Sequence, residues 1–166
     1  MDKLKALWKA IVDILDPAGD WIALLPIRLL MAYEFFNAGR MKFNGSNWFG
    51  RYQEEFLFPF NVIPVEISWF LATWTELIGG VCLVFGLFTR FWGFSLIILS
   101  IVAISGVHWP DDWNSLSELW EGYRVTAKDG SGNFRVPLLF IAMLFPLMFV
   151  GGGKLSLDHL IAKKLK

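Results

Sequence analysis

Four apolar runs, at about residues 21–39, 68–88, 91–109 and 136–150, take up most of this chain. A bilayer core of about 30 Å takes about 20 helical residues to cross. The first three runs meet that length directly, and the fourth is lengthened through Gly151–Gly153 toward a membrane surface. Inside lipid every backbone N–H and C=O must be bonded within the chain, so such runs fold as helices. Polar side chains within them are expensive and become the places to look for chemistry. The expectation is an all-α integral membrane protein: a four-transmembrane-helix bundle forming one membrane domain over residues 1–166, with residues 1–20 as an interfacial amphipathic helix.

Composition agrees. Hydrophobic residues make up 55% and charged residues only 18%, less charge than a soluble domain of this length carries. Lysine plus arginine and aspartate plus glutamate both total 15, so no net charge points to nucleic acid. Cys82 is the only cysteine, which excludes an internal disulfide or a CxxC redox pair.

The first residues do not read as a cleavable signal. Lys3, Lys5, Lys9 and Asp13 interleave with Leu4, Leu7, Trp8, Ile11, Ile14 and Leu15 at helical spacing, and no small-residue cleavage pattern follows. A helix lying on the membrane surface is the expectation. An even number of spans puts both termini on one side. That side carries eight basic residues (Lys3, Lys5, Lys9, Arg90, Lys154, Lys163, Lys164, Lys166) against six (Arg40, Lys42, Arg51, Arg124, Lys128, Arg135) on the other. Basic clusters favour the cytoplasm, so both termini are expected there.

Two longer segments then face outward, at 40–67 and 110–135. In the second, Ser115 and Glu118 have the spacing of a helix capping box, which predicts a short helix through about Tyr123. Asp129-Gly130-Ser-Gly132 reads as a turn. Asp111, Asp112, Glu118 and Glu121 make this loop acidic, a candidate surface for a protein partner or simply a solvated face. Trp48, Trp69, Trp92, Trp109 and Trp113 fall near the interfaces, where indoles anchor helices.

Arg28, Glu34 and Glu76 lie inside the runs, and His108 at the outer end of the third. At about 1.5 Å per residue, Glu34 lies about 8 Å, Glu76 about 12 Å and Arg28 about 16 Å from the outer end. All four could border one pocket in the outer half, with Arg28 and Glu76 close enough in depth for an ion pair. An unpaired charge at a span centre costs about 2.5–3.5 kcal/mol even on lenient scales. Arg28–Glu76 is therefore either a structural clamp or part of a site for a polar-headed membrane substrate. The candidate residues are Glu76 and His108 for proton handling, and Arg28, Glu34, Lys42 and Trp74 for substrate contact. His108 and His159 fall at opposite faces and cannot share a metal within one chain, so no intrinsic metal or haem is expected.

Several pieces carry a resemblance: Arg28-Leu-Leu-Met-Ala32, Asn37-Ala-Gly39-Arg-Met-Lys42, Glu76-Leu-Ile-Gly79-Gly80, Phe85-Gly86-Leu-Phe-Thr-Arg90 and Gly151-Gly-Gly153-Lys-Leu-Ser156-Leu-Asp158. Together, in this order on four runs, they resemble the DoxX family of small four-helix bacterial membrane proteins. The loop Trp109-Pro-Asp-Asp-Trp-Asn-Ser-Leu-Ser-Glu-Leu-Trp-Glu-Gly-Tyr123 departs from the minimal pattern. With Gly132-Asn-Phe-Arg-Val-Pro137 it looks like the HvfX-type branch, which is associated with copper-related modified peptides.

The resemblance implies a redox-linked membrane role, because name-giving relatives are subunits of a thiosulfate:quinone oxidoreductase. By position, Arg28, Lys42, Glu76, Arg90, His108, Ser156 and Asp158 carry over as pattern residues. Ser156-Leu-Asp158 and Gly151–Gly153 also read as a cap of the fourth helix at the cytoplasmic interface, and Arg90 also reads as a positive-inside anchor. The leading expectation is a subunit that binds quinone or a similar lipid-phase carrier in the outer half of the bundle. Arg28 and Glu76 would orient its head, and His108 would exchange protons outward, since histidine ordinarily titrates at about pH 6.5. The alternative is a non-catalytic scaffold or accessory for copper-related peptide maturation and copper homeostasis, holding a partner at loop 110–135. A homo-oligomer is compatible with either.

Overall fold

A computed structural model describes residues 2–128 and 130–165. Met1 of the expected surface helix, Asp129 of the expected turn and Lys166 of the basic set lie outside the described residues. Among the described residues there is no β-strand. Helix α1 runs Asp2–Ile22, and its apolar positions Leu4, Leu7, Trp8, Ile11, Ile14 and Leu15 are all exposed. Helix α2 runs Leu25–Asn44, opening with Pro26 in its first turn, where the missing N–H would have no partner anyway. The expected span ended at Gly39. The helix continues through Gly39 to Asn44, where Lys42 bonds to Glu76 and Phe43 stacks on Trp74 of the next helix.

Helix α3 spans Val65–Phe85, starting and ending three residues before the expected limits. Pro64 sets its start. Its end is a Schellman motif: Gly86 adopts φ +64, its N–H donates to Leu83 O and the Leu87 N–H to Cys82 O. Helix α4 spans Thr89–Ala103 and passes into a π turn at Ile104–His108. Helix α5 is Leu116–Glu121, shorter than expected, with Ser115 Oγ accepting the Glu118 N–H as its cap. Helix α6 spans Arg135–Val150 and α7 spans Leu157–Lys164.

Helices α2, α3, α4 and α6 form a four-helix bundle in which α2 lies against α3 and α4 against α6. Both pairs are antiparallel. Gly39 faces Glu76 and Leu77 while Gly80 faces Ala32 and Phe36; Gly93 faces Met148 while the Asn133 N–H donates to His108 O. A Cβ on Gly39 would stand 2.8 Å from the Leu77 backbone N, and one on Gly80 3.0 Å from the Ala32 carbonyl O. These two glycines let α2 and α3 touch backbone to backbone. Helix α3 and the 20-residue unit Thr89–His108 are long and apolar enough to cross a membrane. Helix α6 is apolar but 16 residues long, and α2 carries Arg28, Glu34, Arg40 and Lys42.

The two halves of the bundle differ. Near the α3–α4 turn, Met31, Leu83, Leu96, Leu144 and Leu147 are fully buried and fill the interior. The other half is hollow.

At the filled end the chain after α6 folds back instead of extending the fourth run. Gly151 (φ +94) and Gly153 (φ +74) turn it onto α2, where Arg28 donates to Gly152 O at 2.6 Å and Leu155 O at 2.8 Å. Lys154 pairs with Asp20 at 2.6 Å, so the end of α1 and the start of α7 lie at the same end of the bundle. Asp158 accepts from the Phe88 N–H at 2.7 Å and the Thr89 N–H at 2.8 Å. Ser156 caps α7 by accepting from the His159 N–H. The capping reading of these two residues thus holds in kind, but the helices capped are α7 and α4.

Candidate functional site

The hollow half encloses a cavity of about 490 Å³. Helical spacing explains why it exists. Glu34, Ala38 and Lys42 share one face of α2, and Ser68, Ala72 and Glu76 share one face of α3, each four residues apart. An alanine stands between two polar groups on each helix, and its small side chain leaves room where a leucine would close it. Ser95, Leu99 and Ala103 of α4 and Val136, Pro137 and Phe140 of α6 complete the wall.

Lys42 reaches down from the last turn of α2 and donates to both carboxylate oxygens of Glu76 at 2.8 Å. The Glu76 side chain is 3% exposed and that of Lys42 16%. Taking two charges out of water is costly unless they are paired with good geometry, and this bidentate contact supplies it. The expected partner was Arg28, and that is corrected. Gly39 is level with Glu76, which places Arg28 eleven residues away along α2. Arg28 lies at the filled end, bonded to carbonyls that its planar fork fits. It does not line the cavity.

His108 enters from the π turn, a distortion that often marks functional positions. Its Nδ1 lies 2.7 Å from Asn133 Oδ1. Glu34 lines the cavity as expected. Trp74 does not: it faces outward, 39% exposed, against Phe43 and Phe70. The expected set is therefore divided, with Glu34, Lys42, Glu76 and His108 together and Arg28 and Trp74 elsewhere.

Aromatic residues cover the open end. Trp48, Phe49, Phe56 and Phe60 line the cavity. Phe49 meets Trp69 and Phe56 edge to face with ring centroids 5.0 and 5.2 Å apart. Phe56 is 4% exposed and lies against Gly106 of the π turn, where no side chain intervenes. Trp48 was read from sequence only as an interface anchor; it is also a wall of the cavity. Two further residues escaped the sequence reading. Asn133 sat unremarked in the Gly132–Pro137 piece, and Ser68 looked like a span end. The Ser68 hydroxyl is buried, with a side chain 4% exposed, and has no hydrogen-bond partner among the described residues.

A mostly apolar chamber in a helical bundle, with a buried ion pair and an imidazole in its wall and two helices long and apolar enough to cross a membrane, defines a small all-helical protein with an internal ligand-sized site. The chain belongs to the DoxX family, whose sequence profile matches residues 23–109, just over half of the 166 residues. That match takes in α2, α3, α4 and the π turn, the elements that supply Glu34, Lys42, Glu76 and His108. The chain is also 41% identical over 145 residues, 87% of each sequence, to a Haemophilus influenzae protein described as "Uncharacterized protein". No solved structure matches it.

Proposed function

We propose that the cavity binds a quinone or similar lipid-phase carrier and that the protein serves as the membrane subunit of a redox system. The Lys42–Glu76 pair in the wall of an apolar chamber carries this reading. A buried pair is no better for stability than packed leucines, so a polar-headed ligand gives it a use. The size and apolar lining suit a ring with a short length of tail. Lys42 would meet a carbonyl oxygen, Glu76 would hold Lys42 in position, and electrons would pass to a partner subunit.

The same proposal puts all four bundle helices across a bacterial inner membrane, with the α1 and α7 ends cytoplasmic and α1 on the surface. Exposed stripes support lipid contact: Phe70, Trp74, Ile78, Val81 and Phe85 on α3, and Phe91, Phe94, Ile98 and Ile101 on α4.

The test is a titration of the detergent-purified protein with naphthoquinone, read by tryptophan fluorescence. Saturable quenching, weakened about tenfold or more by Glu76→Gln, supports the site. Unsaturable quenching, or equal affinity in the variant, counts against it.

One observation favours a second reading. Leu116, Trp120 and Val125 are exposed on the outer loop beside Asp111, Asp112, Glu118 and Glu121. This suits a scaffold that holds a partner protein, including the copper-related peptide role. Replacing residues 113–121 would then abolish association while Glu76→Gln would not.

A further inference from the structure

The hydrogen bonds around His108 determine which of its ring nitrogens carries the proton. Asn133 Nδ2 donates to Val125 O at 3.3 Å, and the Asn133 backbone N–H donates to His108 O at 3.0 Å. An amide nitrogen only donates and an amide oxygen only accepts. Turning the amide over would set its oxygen against the Val125 carbonyl oxygen, two acceptors facing each other. Asn133 Oδ1 is therefore the atom 2.7 Å from the ring, and His108 Nδ1 must be the donor. A neutral imidazole has one N–H, so Nε2 is a bare lone pair. Among the described residues no group donates to it, and the ring lines the cavity.

The polar wall is thus asymmetric. Lys42 offers N–H donors beside Glu76, whereas His108 Nε2 can only accept. The buried, unpartnered Ser68 hydroxyl lines the same chamber and can bond either kind of group. A ligand that presents oxygen acceptors alone would leave Nε2 unpaired in an apolar site, which is the costly outcome.

Resting on the carrier reading above, we propose that the cavity selects the hydroxyl-bearing form of an aromatic carrier, a quinol or naphthol head, over the carbonyl or ether form. His108 Nε2 accepts the hydroxyl hydrogen. Asn133 is a positioning residue that keeps Nδ1 as the N–H donor.

The experiment compares two redox-inert probes that differ in one hydroxyl, the monomethyl and the dimethyl ether of dihydroxynaphthalene, with naphthoquinone as a third ligand. In the wild-type protein the monomethyl ether should bind at least about fivefold more tightly than the dimethyl ether, equivalent to about 1 kcal/mol. His108→Phe and Asn133→Leu should bring that ratio to about one, while Asn133→Asp, which keeps the acceptor, retains it. Nitrogen-labelled histidine gives a reading that needs no ligand. The chain has two histidines, so His159→Gln leaves the His108 signals alone. NMR should then show Nδ1 protonated and Nε2 bare. Equal affinity for the two ethers in the wild type, a ratio that survives in His108→Phe, or a protonated Nε2 in neutral His108 overturns the inference. If naphthoquinone binds while the ethers are not distinguished, only this inference fails. If no ligand binds, the carrier reading fails and takes this one with it.

Discussion

Lys42 Nζ, on the last turn of α2, stands 2.8 Å from both carboxylate oxygens of Glu76, in the middle of α3. The contact spans the wall of the cavity, and each charge depends on the other to remain buried. Lys42→Met should destabilise the protein by about 3–5 kcal/mol, because it strands the carboxylate. The double variant Lys42→Met/Glu76→Gln should recover much of that loss. Thermal unfolding in detergent, followed by circular dichroism, gives the comparison; a double variant as unstable as the sum of the singles would argue against the pairing.

Arg28 is 2% exposed and binds two carbonyls of the segment after α6. Hydrogen bonds to a charged group contribute about 1.5–3 kcal/mol each. Arg28→Lys keeps the charge but loses the fork, so it should lower the melting temperature and open residues 151–158 to proteolysis. Naphthoquinone affinity should stay unchanged, because Arg28 lies outside the cavity.

Gly80 leaves no room for a side chain, since an added Cβ would lie 2.9 Å from Phe36 Cβ and 3.0 Å from the Ala32 oxygen. Gly80→Val should therefore force α2 away from α3 and cost about 1–3 kcal/mol as overpacking. Gly19, whose Cβ would meet nothing within 4 Å, serves as the control. Gly19→Ala should cause no loss in the same melting assay and a gain of up to about 1 kcal/mol, because alanine is the better helix former inside α1.

Asp158 satisfies the first N–H groups of α4 from 69 and 70 residues away in the chain. Removing a cap of this kind costs about 1 kcal/mol. Asp158→Ala should show that loss, and faster hydrogen exchange at Thr89 and its neighbours should locate it at the start of α4.

Helix existence was legible in the sequence, because long apolar runs admit little else. The α6 limits came within a residue of the expected run, and the Ser115–Glu118 spacing located the α5 start. Depth was not legible. It was counted from Gly39 as the end of a span, whereas α2 continues to Asn44 and slides along α3 until Gly39 meets Glu76. That register is set by glycine contacts between helices, which no local pattern announces, so Arg28 was matched to Glu76 and Lys42 was taken for a loop residue. Asn133 was missed for a related reason. Its role depends on a turn that brings it beside His108, 25 positions earlier. Glu34 and His108 do line the cavity, but the same register puts Glu34 deeper than Glu76, the reverse of the depth order counted from the sequence.

The most direct test of the central claim is to purify the protein from its native membrane into lipid nanodiscs and extract it with solvent for quinones, with Glu76→Gln prepared in parallel. The account predicts a stoichiometric carrier in the wild type that is largely lost from the variant while the melting profile remains cooperative. A carrier-free wild type, or equal carrier in both preparations, would contradict it.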